Sequence, residues 1–398
     1  MEYFKDFHDS IAWNVIQDIG VLWSFFSWVW IMLPRYWKST IRLTCRRMLK
    51  KTMVIDKNSE MATLLLDNIE IITGVDRDYR IYLSIDKNPL KVPKDFDTIR
   101  DRLEKENSIR LEKGETPVFS DLLPYAVHDI KNNDTNRYFS VRGILPYRVG
   151  KDETPVCKVI LRKSSYFYSL ISIMAMDEKV GDSTIREKYY KEVLLDPRNP
   201  APEGFDIVHG FGMNTMVLTK DGSFVFSKRN PNTVSTLRGK LHVSVGEHLN
   251  QDMLDQDKQT RQPSSIETIS KGILQELGIT LNEEEKNNIR FYGVGFSKSV
   301  CQYGVFGFIN LSNYSNKEIK NAWQRSKDGP YESSELLFIE ANINSIVDFI
   351  NKNIEVSMTK FALLNACLAL MMEEEEGKVT QEEIDRALKR LRPHSLVD

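Results

Sequence analysis

This chain of 398 residues has little cysteine and no cysteine pattern. Its four cysteines, Cys45, Cys157, Cys301 and Cys367, stand far apart and form no CxxC. That excludes a disulfide framework and a zinc cluster, and leaves reduced thiols as the default. Its six histidines are equally scattered. Net charge is also missing: 54 basic against 56 acidic side chains give a formal −2. A basic coat for nucleic acid and an acidic solvating chain are both excluded, so no duplex nucleic acid is expected as a partner. No internal repeat is evident. Tryptophan is nearly absent beyond the first tenth of the chain. Trp13, Trp23, Trp28, Trp30 and Trp37 fall at the N-terminus, and Trp323 is the sixth.

The averages hide that N-terminal tenth. Ile19 to Leu33 contains no ionisable residue. At 15 positions it is shorter than the ~20 apolar residues a spanning helix needs. Extending it back to Ile11 adds Asn14, Gln17 and Asp18. Glu2, Asp6, Asp9 and Asp18 precede it against Lys5 alone. Arg35, Lys38, Arg42, Arg46, Arg47, Lys50 and Lys51 follow, with no acid up to Ile55. This asymmetry predicts a single pass with the N-terminus outside and the bulk in the cytoplasm. A basic helix bearing Trp37, Ile41, Cys45 and Met48 would then lie on anionic lipid. The alternative is a buried or oligomerisation helix in a soluble cytoplasmic protein. A cleavable signal fits poorly, because the basic residues follow the apolar run.

The remainder reads as α+β, with a mixed α/β region at 56–200. Residues 96–113 predict a surface helix, and Tyr138 to Val149 and Cys157 to Phe167 predict strands. Three prolines between Asp196 and Gly204 mark a linker. Asp221-Gly222 between two β-rich runs predicts a hairpin. Further strands are expected at Leu241 to Glu247, Ile289 to Phe296 and Tyr303 to Leu311. Terminal helices, within 351–398, are expected at Ser357 to Met372 and Thr380 to Leu391, with Glu373 to Glu376 a solvated end.

Pro263 to Ile279, PSSIETISKGILQELGI, is the most informative stretch. Pro263 and Ser264 supply a helix start, Ile266, Ile269, Ile273 and Leu277 an apolar stripe, and Gly278 a stop. A predicted strand and the loop VSVGEHLNQD precede it. Strand, loop and a helix ending in E-L-G-I resemble the Nudix family, whose signature is G-x5-E-x7-R-E-U-x-E-E-x-G-U, U being a bulky aliphatic. Gly246 matches the first glycine, and Asp252 stands where the family has its first Glu. An apparent insertion around Asp255 to Gln262 lengthens the spacer. Lys271 then replaces the Arg, Gly272 the adjoining Glu and Gln275 the next Glu. Ile273, Glu276, Gly278 and Ile279 match.

The resemblance implies a Nudix-like α/β/α domain at 205–350. It also implies that helix carboxylates would hold Mg2+ or Mn2+ against a diphosphate and activate water. Gly272 offers no ligand and Gln275 no charge, so metal binding is expected to be weak, with Gln275, Glu276, Asp252 and Glu267 as the donors available. An active enzyme would use Glu276 and Glu247 as catalytic carboxylates. Gly272, at roughly 1 kcal/mol in a helix interior, reads either as drift or as room for close approach. An apolar N-terminus joined to a degenerate Nudix domain is similar to the membrane-linked Nudix effectors of CBASS-type antiphage signalling. That implies a nucleotide or cyclic-oligonucleotide ligand, membrane lipid and homo-oligomers as partners. Phosphate and base chemistry nominates Arg229, Arg238, Lys240, His242, Tyr303 and Phe306 as nucleotide contacts. Arg162 and Lys163, beside Tyr166, make a second cluster. Three functions remain open: a sensor, a hydrolase of a nucleoside diphosphate derivative, and a soluble scaffold.

Overall fold

The computed structural model describes residues 68–77, 79–88, 91–115, 137–151, 153–165, 175–198, 210–231, 239–249, 263–353, 358–373 and 379–392. The N-terminal apolar run, most of the predicted linker, Arg238 and Asp252 lie outside them. Among the described residues, no helix is long and apolar enough to cross a membrane.

The architecture is mixed α/β. In chain order the strands are β1 (Ile69–Ile71), β2 (Arg80–Asp86), β3 (Arg137–Val149), β4 (Thr154–Ser165), β5 (Lys179–Val180), β6 (Ser183–Thr184), β7 (Phe211–Thr219), β8 (Ser223–Arg229), β9 (Leu241–Val243), β10 (Val245–His248), β11 (Arg290–Ser297), β12 (Gln302–Leu311) and β13 (Ser333–Glu340). The helices that matter to the site are α1 (Lys94–Glu112), α2 (Lys191–Leu195) and α3 (Ser265–Gly272). A π-turn, Ile273–Leu277, continues α3. They are followed by α4 (Glu283–Asn287), α5 (Asn316–Trp323), α6 (Gly329–Glu332), α7 (Ile343–Lys352), α8 (Lys360–Glu373) and α9 (Gln381–Leu388).

An eight-stranded sheet runs β1-β11-β12-β7-β8-β13, with β9 on β8 and β10 on β7. β7 is parallel to β12 and antiparallel to β8. Most of β7 and β12 is buried, because both faces of the sheet are covered; such strands read as continuous apolar runs rather than alternating ones. One face packs on Ile269, Ile273 and Leu277 of the α3 segment and on Ile319 and Trp323 of α5. The other packs on α7, α8 and α9 through Ile346, Leu363, Leu368 and Ile384. A smaller sheet, β2-β4-β3, adds to the first core, where the Ser265 hydroxyl donates to the Ile81 carbonyl at 3.3 Å. The helices of 351–398 thus cover the same sheet that the earlier strands build.

One detail of the sheet positions the site. β7 and β8 pair only beside their turn, at Val217↔Val225 and Leu218↔Phe224. Beyond that point the β9–β10 run crosses over. Val243 pairs with Phe226 of β8, while Val245 and Gly246 pair with Thr215 and Asn214 of β7. The crossover carries Gly246 and Glu247 away from β8, whose last residue is Arg229.

Candidate functional site

The helix after this crossover starts and stops for reasons visible in its residues. The Ser264 side chain accepts from the Glu267 N–H at 3.3 Å, an N-cap worth about 1 kcal/mol. Gly278, with φ 72°, takes the left-handed position that closes the π-turn. A Cβ there would stand 2.5 Å from the Ala322 carbonyl oxygen, so glycine also permits the close passage of α5.

Between those ends, Gly272 lies against β10. A Cβ at this position would be 2.9 Å from Val245 Cγ1 and 3.1 Å from Glu247 Cβ. Of the two readings of Gly272, close approach is the one the packing supports. The helix and strand meet where the family signature would place a carboxylate.

Glu276 is 4% exposed. Its Oε1 accepts the Gly246 N–H at 3.0 Å, which ties the helix segment to β10, and its Oε2 is enclosed without a hydrogen-bond partner. Arg229 reaches the same place from the end of β8. Its Nη1 pairs with Glu332 of α6, and its Nη2 lies 3.0 Å from where a Gly246 Cβ would stand. Its Nε is enclosed without a partner. Burial alone would lower the Arg229 pKa, but Glu276, Glu332 and Glu247 outweigh it and hold the guanidinium charged. Burial raises the carboxyl of Glu276 well above its ordinary range; Arg229 opposes that, while Glu332 and Glu247 add to it. Glu247 is pushed up to about 7, chiefly by burial, with Glu332 and Asp328 adding and Lys271 opposing. His242, 7% exposed, falls to about 3 through burial and the nearby Arg229 charge, and His248 falls to about 4 for the same reasons. Both imidazoles are neutral at pH 7.

The nominated residues therefore divide. Arg229, His242, Glu247 and Glu276 converge on Gly246. Gln275 is half-buried, and its carbonyl accepts from the Asp328 N–H at 3.0 Å. Glu267 stands two turns or more from Glu276, on the first turn of α3, and its carboxylate pairs with Lys286 at 3.0 Å. Lys240 is half-buried, and its carbonyl accepts from the Arg229 N–H at 2.9 Å. Tyr303 and Phe306 point to opposite faces of the sheet. The Tyr303 hydroxyl donates to the Pro197 carbonyl at 2.6 Å, and its ring packs on Phe296 at 4.8 Å. Phe306 stacks on Phe361 at 4.4 Å. Neither ring is brought to the Gly246 cluster. In the second cluster, Arg162 is paired with Asp86, Lys163 is exposed, and Tyr166 lies outside the described residues.

Three residues at this place carried no signal in the sequence. Glu332 is 103 positions from Arg229, so nothing local links them. His248 and Asp328 are likewise brought in only by the crossover and by α6. A glutamate in a Gly-Pro-Tyr-Glu turn is ordinary until its partner is known.

The Nudix resemblance of the sequence implies a divalent ion, and the described residues at this place do not fit one. Position 272 of the helix is glycine pressed against a valine. The helix carboxylate beside Gly246, Glu276, has the Arg229 guanidinium near the same glycine, and Glu267 is taken up by Lys286. Among the described residues, no three His, Cys, Asp or Glu side chains group closely enough to hold a metal.

No protein-family model matches this chain, and no curated protein matches it. Among solved structures it is similar to a MutT/nudix family protein from Enterococcus faecalis, with 9% sequence identity and a TM-score of 0.23. The match covers 52% of this chain and 90% of that one.

Proposed function

We propose that this chain is a Nudix-like binding module that holds a nucleotide without cleaving it. One observation carries the reading. Where a hydrolase would present a second helix carboxylate, Gly272 packs 2.9 Å (measured from a Cβ placed on it) from Val245 Cγ1. A ligating side chain there would have to displace the strand that carries Gly246 and Glu247. Two hard cations need several aimed carboxylates, and Glu276 alone does not supply them.

The nucleotide would meet side chains that reach solvent near this segment. Lys240 and Lys271 are half-buried cations suited to phosphate, and Tyr331 of α6, 67% exposed, offers a ring face to a base. Arg229 and His242 would shape the floor from within. The N-terminal run and its basic flank support a membrane-linked role, and the resemblance to CBASS-type effectors supports antiphage signalling with a cyclic oligonucleotide as ligand. In that arrangement ligand binding shifts an oligomer between states.

The test is a binding and turnover screen on the full chain in detergent, using nucleoside diphosphate derivatives and cyclic oligonucleotides, with Mg2+ or Mn2+ and with chelator. Saturable binding without turnover, indifferent to chelator, is expected. Metal-dependent hydrolysis abolished by Glu276→Gln would overturn the reading in favour of the hydrolase.

A further inference from the structure

The small sheet β2-β4-β3 has an outer face that the reading above does not use. Inward, this sheet supplies Ile81, Leu83, Cys157, Val159 and Leu161 to a core. β2 alternates, so Arg80 and Tyr82 point the other way, and both are exposed. Parallel pairing sets Tyr82 beside Lys158 of β4, and Arg80 beside Val156. β3 forms the opposite edge. Its Gly143 lies over Ile160: a Cβ on the glycine would stand 3.5 Å from Ile160 Cδ1. β3 ends at Val149 and β4 begins at Thr154, a connection that fits only an antiparallel pair. Steps of two from Gly143 then bring Leu145 to Lys158 and Tyr147 to Val156. Two rows result, Leu145-Lys158-Tyr82 and Tyr147-Val156-Arg80, each with one tyrosine and one cation. Tyr82 is 49% exposed and Tyr147 42%.

The charge on these strands is one-sided. β2 carries one basic residue, β3 three and β4 three, against a single acid, Asp86, in a chain whose total is −2. Asp86 is itself paired with Arg162. We propose that this face binds single-stranded nucleic acid, with bases stacked on Tyr82 and Tyr147 and phosphates held by Lys158 and Arg80. Each row then takes one nucleotide: a ring for the base and a cation for the phosphate. The rings stand two strands apart, about 10 Å, with polar and aliphatic side chains between them. That spacing suits successive bases of an extended strand and breaks up the contiguous apolar patch that a protein partner would cover. A duplex keeps its base faces stacked on one another and has none to offer the tyrosines. The excess of cations fits a polyanion, and no carboxylate on the face is left to repel it. The inference stands whether or not a nucleotide is held near Gly246.

The probe is fluorescent oligo(dT) of about 12 nucleotides, titrated with the full chain in detergent and read by anisotropy over a range of salt. Saturable binding is expected, with heparin and duplex DNA as weak competitors. Tyr82→Ala and Tyr147→Ala should each weaken it about tenfold, while Tyr82→Phe and Tyr147→Phe, which keep the ring, should not. Lys158→Gln and Arg80→Gln should each reduce the slope of log affinity against log salt by about 0.7. Both tyrosines are exposed, so the alanine variants are expected to melt with wild type, which separates lost stacking from lost folding. No binding would overturn the proposal. So would binding that both alanine variants retain in full, or that heparin displaces as readily as unlabelled oligo(dT), since either would assign it to basic residues elsewhere or to charge alone. Alanine variants that change the oligomeric mass in light scattering but not the oligonucleotide affinity would give the face to a second copy of the chain and overturn it as well.

Discussion

Replacing Gly272 by alanine sets two effects of known sign against each other. Helix propensity favours alanine by about 1 kcal/mol in an interior position. Packing opposes it, because the new Cβ falls 2.9 Å from Val245 Cγ1 and 3.1 Å from Glu247 Cβ. Neither neighbour yields easily. Val245 is β-branched, with a stiff χ1 on a paired strand, and the Glu247 contact is a Cβ fixed to the backbone. Forcing an extra carbon into such a site costs about 1–3 kcal/mol. The net expectation for Gly272→Ala is a loss of about 1 kcal/mol, or roughly 2–4 °C in melting temperature for a unit of this size. Thermal and urea melts of the full chain read it. Val245→Ala supplies the control: with space opened beside position 272, the double variant should be more stable than the sum of the singles predicts by at least ~0.5 kcal/mol. A Gly272→Ala protein about 1 kcal/mol more stable than wild type would refute the close packing and return Gly272 to the reading of drift.

Other expectations follow from the same cluster. Glu247 holds its proton up to about 7 in the folded chain, against 4.5 for the free side chain. The folded state therefore binds more protons than the unfolded one across that window, and stability falls as pH rises through it. Glu247→Gln should exceed wild type in stability above pH 7 by an amount on the order of 1–3 kcal/mol, with the gap closing near pH 4.5; a gap independent of pH in urea melts would contradict this. His242 and His248, lowered to about 3 and about 4, should show ring chemical shifts that do not titrate between pH 5 and pH 8. An ordinary titration near pH 6.5 would mean that neither burial nor the Arg229 charge acts as described. Tyr303→Phe removes the 2.6 Å bond to the Pro197 carbonyl and should cost about 1 kcal/mol in a melt while leaving nucleotide affinity unchanged.

Local signals were legible where they depend on neighbours in the chain. Ser264 and Gly278 bound the helix as their chemistry requires, and Gly222, at φ 72°, turns the hairpin between β7 and β8. β3, β4, β11 and β12 fall within three residues of the expected runs. β13 was not anticipated. Its buried residues, Ser333, Leu336 and Ile339, recur every third position rather than every second, and a register shift interrupts its pairing with β8. Aromatic residues on buried strands misled for a related reason: Tyr303 and Phe306 read as base platforms, but a sheet covered on both faces keeps both for its cores. The part of the site that matters most was illegible because it is tertiary. The signature comparison gave Gly272 as a missing ligand, and only Val245 explains it. Arg229 reads in the sequence as a nucleotide contact, and only the fold brings Glu332 to it.

The central claim is that the box binds without cleaving, and the fate of a bound nucleotide tests it most directly. The full chain would be saturated with the best ligand of the screen, held with Mg2+ or with chelator, then denatured and its nucleotide weighed by mass spectrometry. The account predicts intact ligand in equal amounts under both conditions. Cleaved ligand that appears only with Mg2+, and disappears in Glu276→Gln, would contradict it.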